Sequence, residues 1–241
     1  MSNFALPLIA FVGIAAAASQ DVVTLKASPA ESQEIRYSLK FNLKFNGEDV
    51  VFSGDVINRV TDLSPDGSFT MATTQKNAQM TLAGQKVAYP EQQPTFTTYA
   101  SDGRVTAITG DDITADDYRF SNLTAMLWPA AGVKVGEGWS AEVKSDASTG
   151  AVKAACSYRL LAQEELLGRK TNKISFEIKE QEGSRPASAK GVIWTDQSTG
   201  LTVKMAAELK DAPIAGTVVD AAIELTLTPN PSVVPTGTTG G

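Results

Sequence analysis

The chain contains no histidine and a single cysteine, Cys156. Without imidazole there is no Ser-His-Asp or Cys-His machinery, no His-ligated zinc or iron, and no side chain whose ordinary titration lies near neutrality. One thiol can neither close an internal disulfide nor build a thiolate metal cluster. Positive charge is also scarce: 21 Lys and Arg face 27 Asp and Glu, a net charge of -6, with no basic run. That balance supports solubility and gives no surface for nucleic acid. An enzyme built from this sequence would have only Asp, Glu, Lys, Tyr, Ser and Thr to work with. No catalytic residue, metal or cofactor is expected.

The apolar run Phe4–Ala18 inside MSNFALPLIAFVGIAAAASQDVV is fifteen residues long. A bilayer-spanning helix needs about 20. The run ends in the small residues Ala15–Ser19 and then meets Gln20 and Asp21, which is the cleavage pattern of a secretory signal peptide. No Lys or Arg precedes it, a departure from that pattern. Residues 1–19 are assigned to the signal peptide. The exported chain is then periplasmic or extracellular, with no transmembrane segment and no cysteine near the cleavage point to carry a lipid. Residues 229–241, PNPSVVPTGTTGG, lack apolar periodicity and form a flexible tail in this reading.

Between these ends the dominant signal is alternation. In IRYSLKFNLKF, the residues Ile35, Tyr37, Leu39, Phe41, Leu43 and Phe45 alternate with polar ones, which predicts a long strand with one buried face. Asn46-Gly47 supplies a hairpin turn. The next run places Val50, Phe52, Val56 and Val60 on one face, with Gly54 marking a bend or bulge. Turn signals recur at Pro65-Asp66-Gly67, Asp102-Gly103 and Asp196–Gly200. Alternation returns in Val152–Leu160, in Ile174, Phe176 and Ile178, and in Val219–Leu227. Such spacing predicts an antiparallel meander. One stretch differs: Asp116–Pro129 spaces Phe120, Leu123, Met126 and Leu127 as a helix does, with Asp116 or Asp117 as its cap and Pro129 as its stop. The fold class expected is mainly β, with long curved antiparallel strands in a half-barrel or two-sheet meander and one or two short helices. The exported domain covers residues 20–228, its strands grouped in two halves at about 34–115 and 133–228.

Several local patterns mimic functional motifs. Gly132–Gly138 is glycine-rich, but the strand-like WSAEV follows it, with no helix and no Gly-Lys-Ser/Thr, so it is not a phosphate loop. Gly110–Asp117 is acidic without calcium-loop spacing, and Asp116 and Asp117 suit a helix N-terminus. Glu164, Glu165, Glu180 and Glu182 offer carboxylates for a hydrolase pair of the glycosidase kind. Cys156 alternates with apolar neighbours and reads as a buried inert thiol. Trp128, Trp139 and Trp194 are core anchors or the walls of an apolar groove.

Three segments carry a resemblance: VKVGEGWSAEV (Val133–Val143), SYRLLAQEELLGRKTNKISFEI (Ser157–Ile178) and GVIWTDQSTGLTVKM (Gly191–Met205). Their strand–Gly-Arg/Lys–strand–WxDxxTGL–strand layout resembles uncharacterised exported bacterial proteins with curved sheets. It is similar to the half-barrel of LolA/LolB-type lipoprotein carriers over Val133–Leu227. In such carriers the concave sheet face, covered by helices, holds acyl chains. The resemblance implies the curved-sheet fold and the extracytoplasmic compartment. Export, long amphipathic strands and the lack of catalytic residue types together lead to the expectation of a non-enzymatic extracytoplasmic binding protein that holds a lipid-like or other apolar ligand on its curved sheet, with Trp139, Tyr158, Phe176 and Trp194 as candidate ligand contacts. A concave face filled by the protein's own side chains would speak against that ligand. The alternative is a structural or protein-interaction module of the cell envelope, and the third is the carboxylate hydrolase.

Overall fold

A computed structural model describes residues 21–45, 47–214 and 216–228. The expected signal peptide and tail lie outside the described residues. The long alternating run forms strand β1 (Glu34–Phe45), and the run after Gly47 forms β2 (Glu48–Leu63). Then come β3 (Phe69–Leu82), β4 (Gln85–Ala88), β5 (Thr95–Tyr99) and β6 (Val105–Thr109). Helix α1 (Ala115–Leu123) follows. The second group is β7 (Gly138–Val143), β8 (Ala154–Leu166), β9 (Arg169–Glu180), β10 (Ser188–Asp196), β11 (Thr202–Ile214) and β12 (Thr217–Leu227).

Both strand groups belong to one curved, open, antiparallel sheet in the order β6-β5-β3-β2-β1-β12-β11-β10-β9-β8-β7, with β4 paired to β3. The first and last strands join at the centre, Phe41 opposite Ile223. The bend expected at Gly54 is a bulge, but the extra residue sits across the ladder on β3, where Asn77 adopts φ 52. Strand β4 had no alternation to announce it. It exists because Ala83 and Gly84, with φ 48 and 78, close a two-residue turn of the primed kind that matches strand twist.

This order puts β6 and β7 on opposite edges, so the chain between them must cross a face of the sheet. It crosses the apolar one. The Phe120 ring of α1 lies 6.1 Å from that of Phe41. Leu123 and Leu127 are buried under it, and burial of a leucine side chain stabilises by roughly 1.5–3 kcal/mol. At residues 127 and 128 the connection touches both ends of the sheet at once. The Trp128 N–H donates to the Asp102 carbonyl in the β5–β6 turn (2.9 Å), and the Trp139 Nε1–H of β7 donates to the Leu127 carbonyl (2.9 Å). The sheet therefore curls until its ends approach each other across this segment, a half-barrel closed by its own crossover. Gly103 is required at that contact: it has φ +87, and a Cβ there would fall 2.0 Å from the Met126 carbonyl oxygen.

Two expectations for the helix are corrected. Thr114 is its cap and Asp117 completes a capping box, the Thr114 N–H donating to the Asp117 carboxylate at 2.8 Å. The helix ends at Leu123, well before Pro129. After the last turn of α1, residues 125–129 run without regular structure, held by the Asp102 carbonyl and by side chains on the sheet. The Tyr158 hydroxyl donates to the Ala125 carbonyl (3.0 Å) and accepts from the Leu127 N–H (3.3 Å). Helix α1 is also pinned by charge. Arg119 Nε and Nη2 donate to the Glu180 carboxylate at 2.8 and 2.6 Å, and the Ala187 N–H donates to it at 2.7 Å.

Candidate functional site

One transverse row on the apolar face organises the molecule. Cross-strand pairing links Trp139, Tyr158, Phe176, Gly191, Ala207, Ile223, Phe41, Phe52, Met80 and Val87 in turn, one residue from each of ten strands. Residues directly opposite on one face are the unit of sheet packing. The row is bulky at its ends and small in the middle. Gly191 has no room for a side chain, since a Cβ would meet the Ala206 carbonyl oxygen at 2.3 Å. With Ala207 beside it, this gives the sheet a shallow place on β10 and β11, and α1 packs against β11.

Three of the four residues expected at a ligand site sit together at one end of this row. Trp139 stacks on Tyr158, with ring centroids 5.3 Å apart and planes 17° from parallel. Tyr158 and Phe176 are buried, and burial raises the Tyr158 phenol well above its usual range. The polar atoms of Trp139 and Tyr158 are spent on the crossover segment, so this end of the concave face is filled by the protein's own chain. The fourth residue, Trp194, stands on the opposite face, opposite Lys204 of β11 and Lys173 of β9. Its Nε1–H donates to the Glu164 carboxylate (2.6 Å), and that bond, with nearby Lys173, holds the carboxyl below its ordinary value. The Lys173 and Lys204 ammonium groups lie 5.2 and 6.0 Å from the indole centroid. The four residues do not line one groove.

The other end of the row is open. Phe41 is the last residue under α1, at 8 % exposure, whereas Val87 reaches 54 %. Phe52 and Met80, between them, are half-buried. Leu82 and Tyr89 add exposed apolar surface, and the Tyr89 ring meets Phe52 edge-on with centroids 5.6 Å apart. These residues form an apolar shoulder continuous with the core and uncovered by the helix. Contiguous exposed apolar surface on a soluble domain marks a place of contact. Alternation placed Phe52 on a buried face, but nothing signalled Val87 or Tyr89, because the Ala83-Gly84 turn lacks the Asn or Asp that announces a hairpin.

The polar face has different properties. A trough of about 860 Å³ crosses it near Lys44, Asp49, Glu177, Lys190 and Glu208, and a second depression of about 620 Å³ shares Asn42, Lys190 and Glu208 with it. The depression's lining includes Phe176 and Trp194. The charges there are spent on one another: Lys190 pairs with Glu208 at 2.9 Å and Lys204 with Glu224 at 2.9 Å. Exposed pairs of this kind contribute little stability and leave no net field for a charged ligand. Of the carboxylates considered for a hydrolase, Glu180 lies on the apolar face against Arg119 and Glu164 on the polar face against Trp194, while Glu165 sits at the opposite end of the β8–β9 hairpin from Glu180. Among the described residues, no three His, Cys, Asp or Glu side chains converge as a metal ligand set, and no helix is long and apolar enough to cross a membrane.

No protein-family model matches the chain, and no curated protein matches it. Among solved structures it is similar to a DUF1329 family protein from Desulfovibrio piger, at 12 % identity and a TM-score of 0.23, over 82 % of this chain and 84 % of that one. A superposition that loose carries no argument about function, and it does not bear on the likeness to lipoprotein carriers.

Proposed function

We propose that this is a non-enzymatic, exported binding protein that holds an apolar ligand, such as an acyl chain, on the uncovered shoulder of its curved sheet. The observation that carries the proposal is the exposure gradient along the transverse row, from Phe41 under α1 to Val87 in solvent. A soluble protein gains nothing in stability from leaving the continuation of its core open. The filled Trp139–Tyr158–Phe176 end moves the ligand surface away from the residues first expected to contact it. The contacts proposed are Phe52, Met80, Leu82, Val87 and Tyr89. No cofactor or metal enters the proposal, and export rests on the N-terminal sequence pattern alone.

Native mass spectrometry of the protein purified without detergent tests this reading. A bound apolar mass is expected on the wild type, and Val87→Asp combined with Met80→Asp is expected to remove it. A wild-type protein that stays ligand-free after incubation with medium- and long-chain fatty acids would overturn it.

A further inference from the structure

We infer that the protruding end of the β8–β9 hairpin is a strand-addition site for an extended, basic segment of a partner protein. Strand β7 pairs with β8 only over Ala154–Arg159. The line is broken at Gly136 and Glu137, which close on Leu160 through Gly136 N–H to Leu160 O (2.7 Å) and Leu160 N–H to Glu137 O (3.0 Å). Beyond that point β8 continues through Leu161–Leu166 with β9 on one side only, and among the described residues no other backbone pairs with it. A partner strand laid there would continue the line of β7. The opposite edge of the sheet is treated differently: on β6 the Ile108 N–H donates to the Tyr118 hydroxyl (3.0 Å), which in turn donates to the Ile108 carbonyl (3.2 Å). The β6 edge is thus capped at Ile108, whereas Leu161–Leu166 of β8 is left with unpaired donors and acceptors.

The side chains around the step select the occupant. Leu161 and Leu167 are 39 % and 54 % exposed, and Leu167 also holds φ 52 in the turn, a conformation that Asn would adopt at less cost. A bulky apolar residue is thus kept where both solvation and backbone geometry disfavour it. A bilayer is a poor occupant, because it cannot satisfy unpaired backbone groups. The edge carries Glu164, which pairs with Lys173 at 3.5 Å, and Glu165, which stands opposite Lys170 and forms no ion pair among the described residues. A second copy added antiparallel would bring the two Glu164-Glu165 pairs beside each other, and like charges across a ladder are destabilising. A strand carrying lysine or arginine is favoured by the unpaired Glu165 carboxylate.

The proposal is independent of the apolar shoulder. Its test uses the full chain and two synthetic hexapeptides with blocked ends, Lys-Val-Lys-Val-Lys-Val and Glu-Val-Glu-Val-Glu-Val, followed by amide hydrogen exchange. The lysine peptide is expected to slow exchange at amides within Leu161–Leu166, and the glutamate peptide to leave them unchanged. Glu165→Lys is expected to abolish the preference for the lysine peptide and Leu161→Asp to weaken its binding several-fold. Leu167→Asn, which suits the turn, separates a lost contact from a lost fold: peptide binding weakens while the unfolding midpoint holds or rises. Equal binding of both peptides would overturn the proposal. So would protection appearing elsewhere, hairpin binding to phosphatidylglycerol vesicles in place of the peptide, or dimerisation of the protein through this edge.

Discussion

Replacing Arg119 with alanine is expected to be among the most damaging single changes on α1. The Glu180 side chain is 3 % exposed and accepts three hydrogen bonds, two of them from Arg119. Arg119→Ala leaves a buried carboxylate with one backbone donor, and such uncompensated charges cost about 3–5 kcal/mol. A domain of this kind has roughly 5–15 kcal/mol in total, so much of the margin disappears. Urea unfolding followed by tryptophan fluorescence and far-ultraviolet circular dichroism gives the value, with Trp128 and Trp139 reporting directly on the crossover. The double variant Arg119→Met with Glu180→Leu separates charge from packing. It is expected to recover most of the loss, short of about 1 kcal/mol for the Ala187 N–H left without its acceptor. If Arg119→Ala unfolds within about 0.5 kcal/mol of the wild type, α1 is not held as described, and the conclusion that the Trp139–Tyr158–Phe176 end of the concave face is filled by the crossover fails with it.

Other outcomes follow from the same contacts. Gly191→Ala is expected to cost more than about 2 kcal/mol, since the new methyl overlaps the Ala206 carbonyl and over-packing of this kind costs roughly 1–3 kcal/mol or more; a thermal melt reads it. Cys156 is buried and burial pushes its thiol up, so it should resist a disulfide reagent in the native state and react promptly in denaturant. Burial acts to raise the Asp196 carboxyl, but hydrogen bonds from Ser198, Arg169 and Thr199 prevail and hold it at about 2, against an ordinary 3.8. Because the folded value is the lower one, this stabilisation is present above pH 4 and is lost as pH falls toward 2. Asp196→Asn should remove about 1–2 kcal/mol at neutral pH and flatten that part of the acid-unfolding profile.

How much of this was legible beforehand depended on whether the signal was local. The alternation of Ile35–Leu43 and of Ile174–Ile178 fixed which side chains face the core, since a period of two leaves no other choice. The fate of Trp139, Tyr158 and Phe176 was not legible. All three carry the pattern of a buried face, and whether a ligand or the protein's own chain covers that face depends on the route taken from β6 to β7. That route is a long-range property: a strand order that separates β6 and β7 forces the crossover over the sheet, and no residue between Thr124 and Pro129 announces it. Trp194 was misleading for a different reason. Its strand neighbours Val192 and Ile193 are both apolar, so alternation could not choose its face, and the bulge between Trp194 and Thr195 disturbs the pattern further. The shoulder was hidden by β4, whose four residues are too few to display a period.

Methyl nuclear magnetic resonance reads whether the open end of the apolar row is the ligand surface. A protein labelled at Met, Val and Leu methyl groups is titrated with decanoate. Saturable shifts are expected at Met80, Leu82 and Val87, with Leu123, Leu127 and Leu160 unmoved beneath the crossover. Shifts confined to the methyls under α1, or no saturable shift at the shoulder with decanoate or a longer chain, would contradict it.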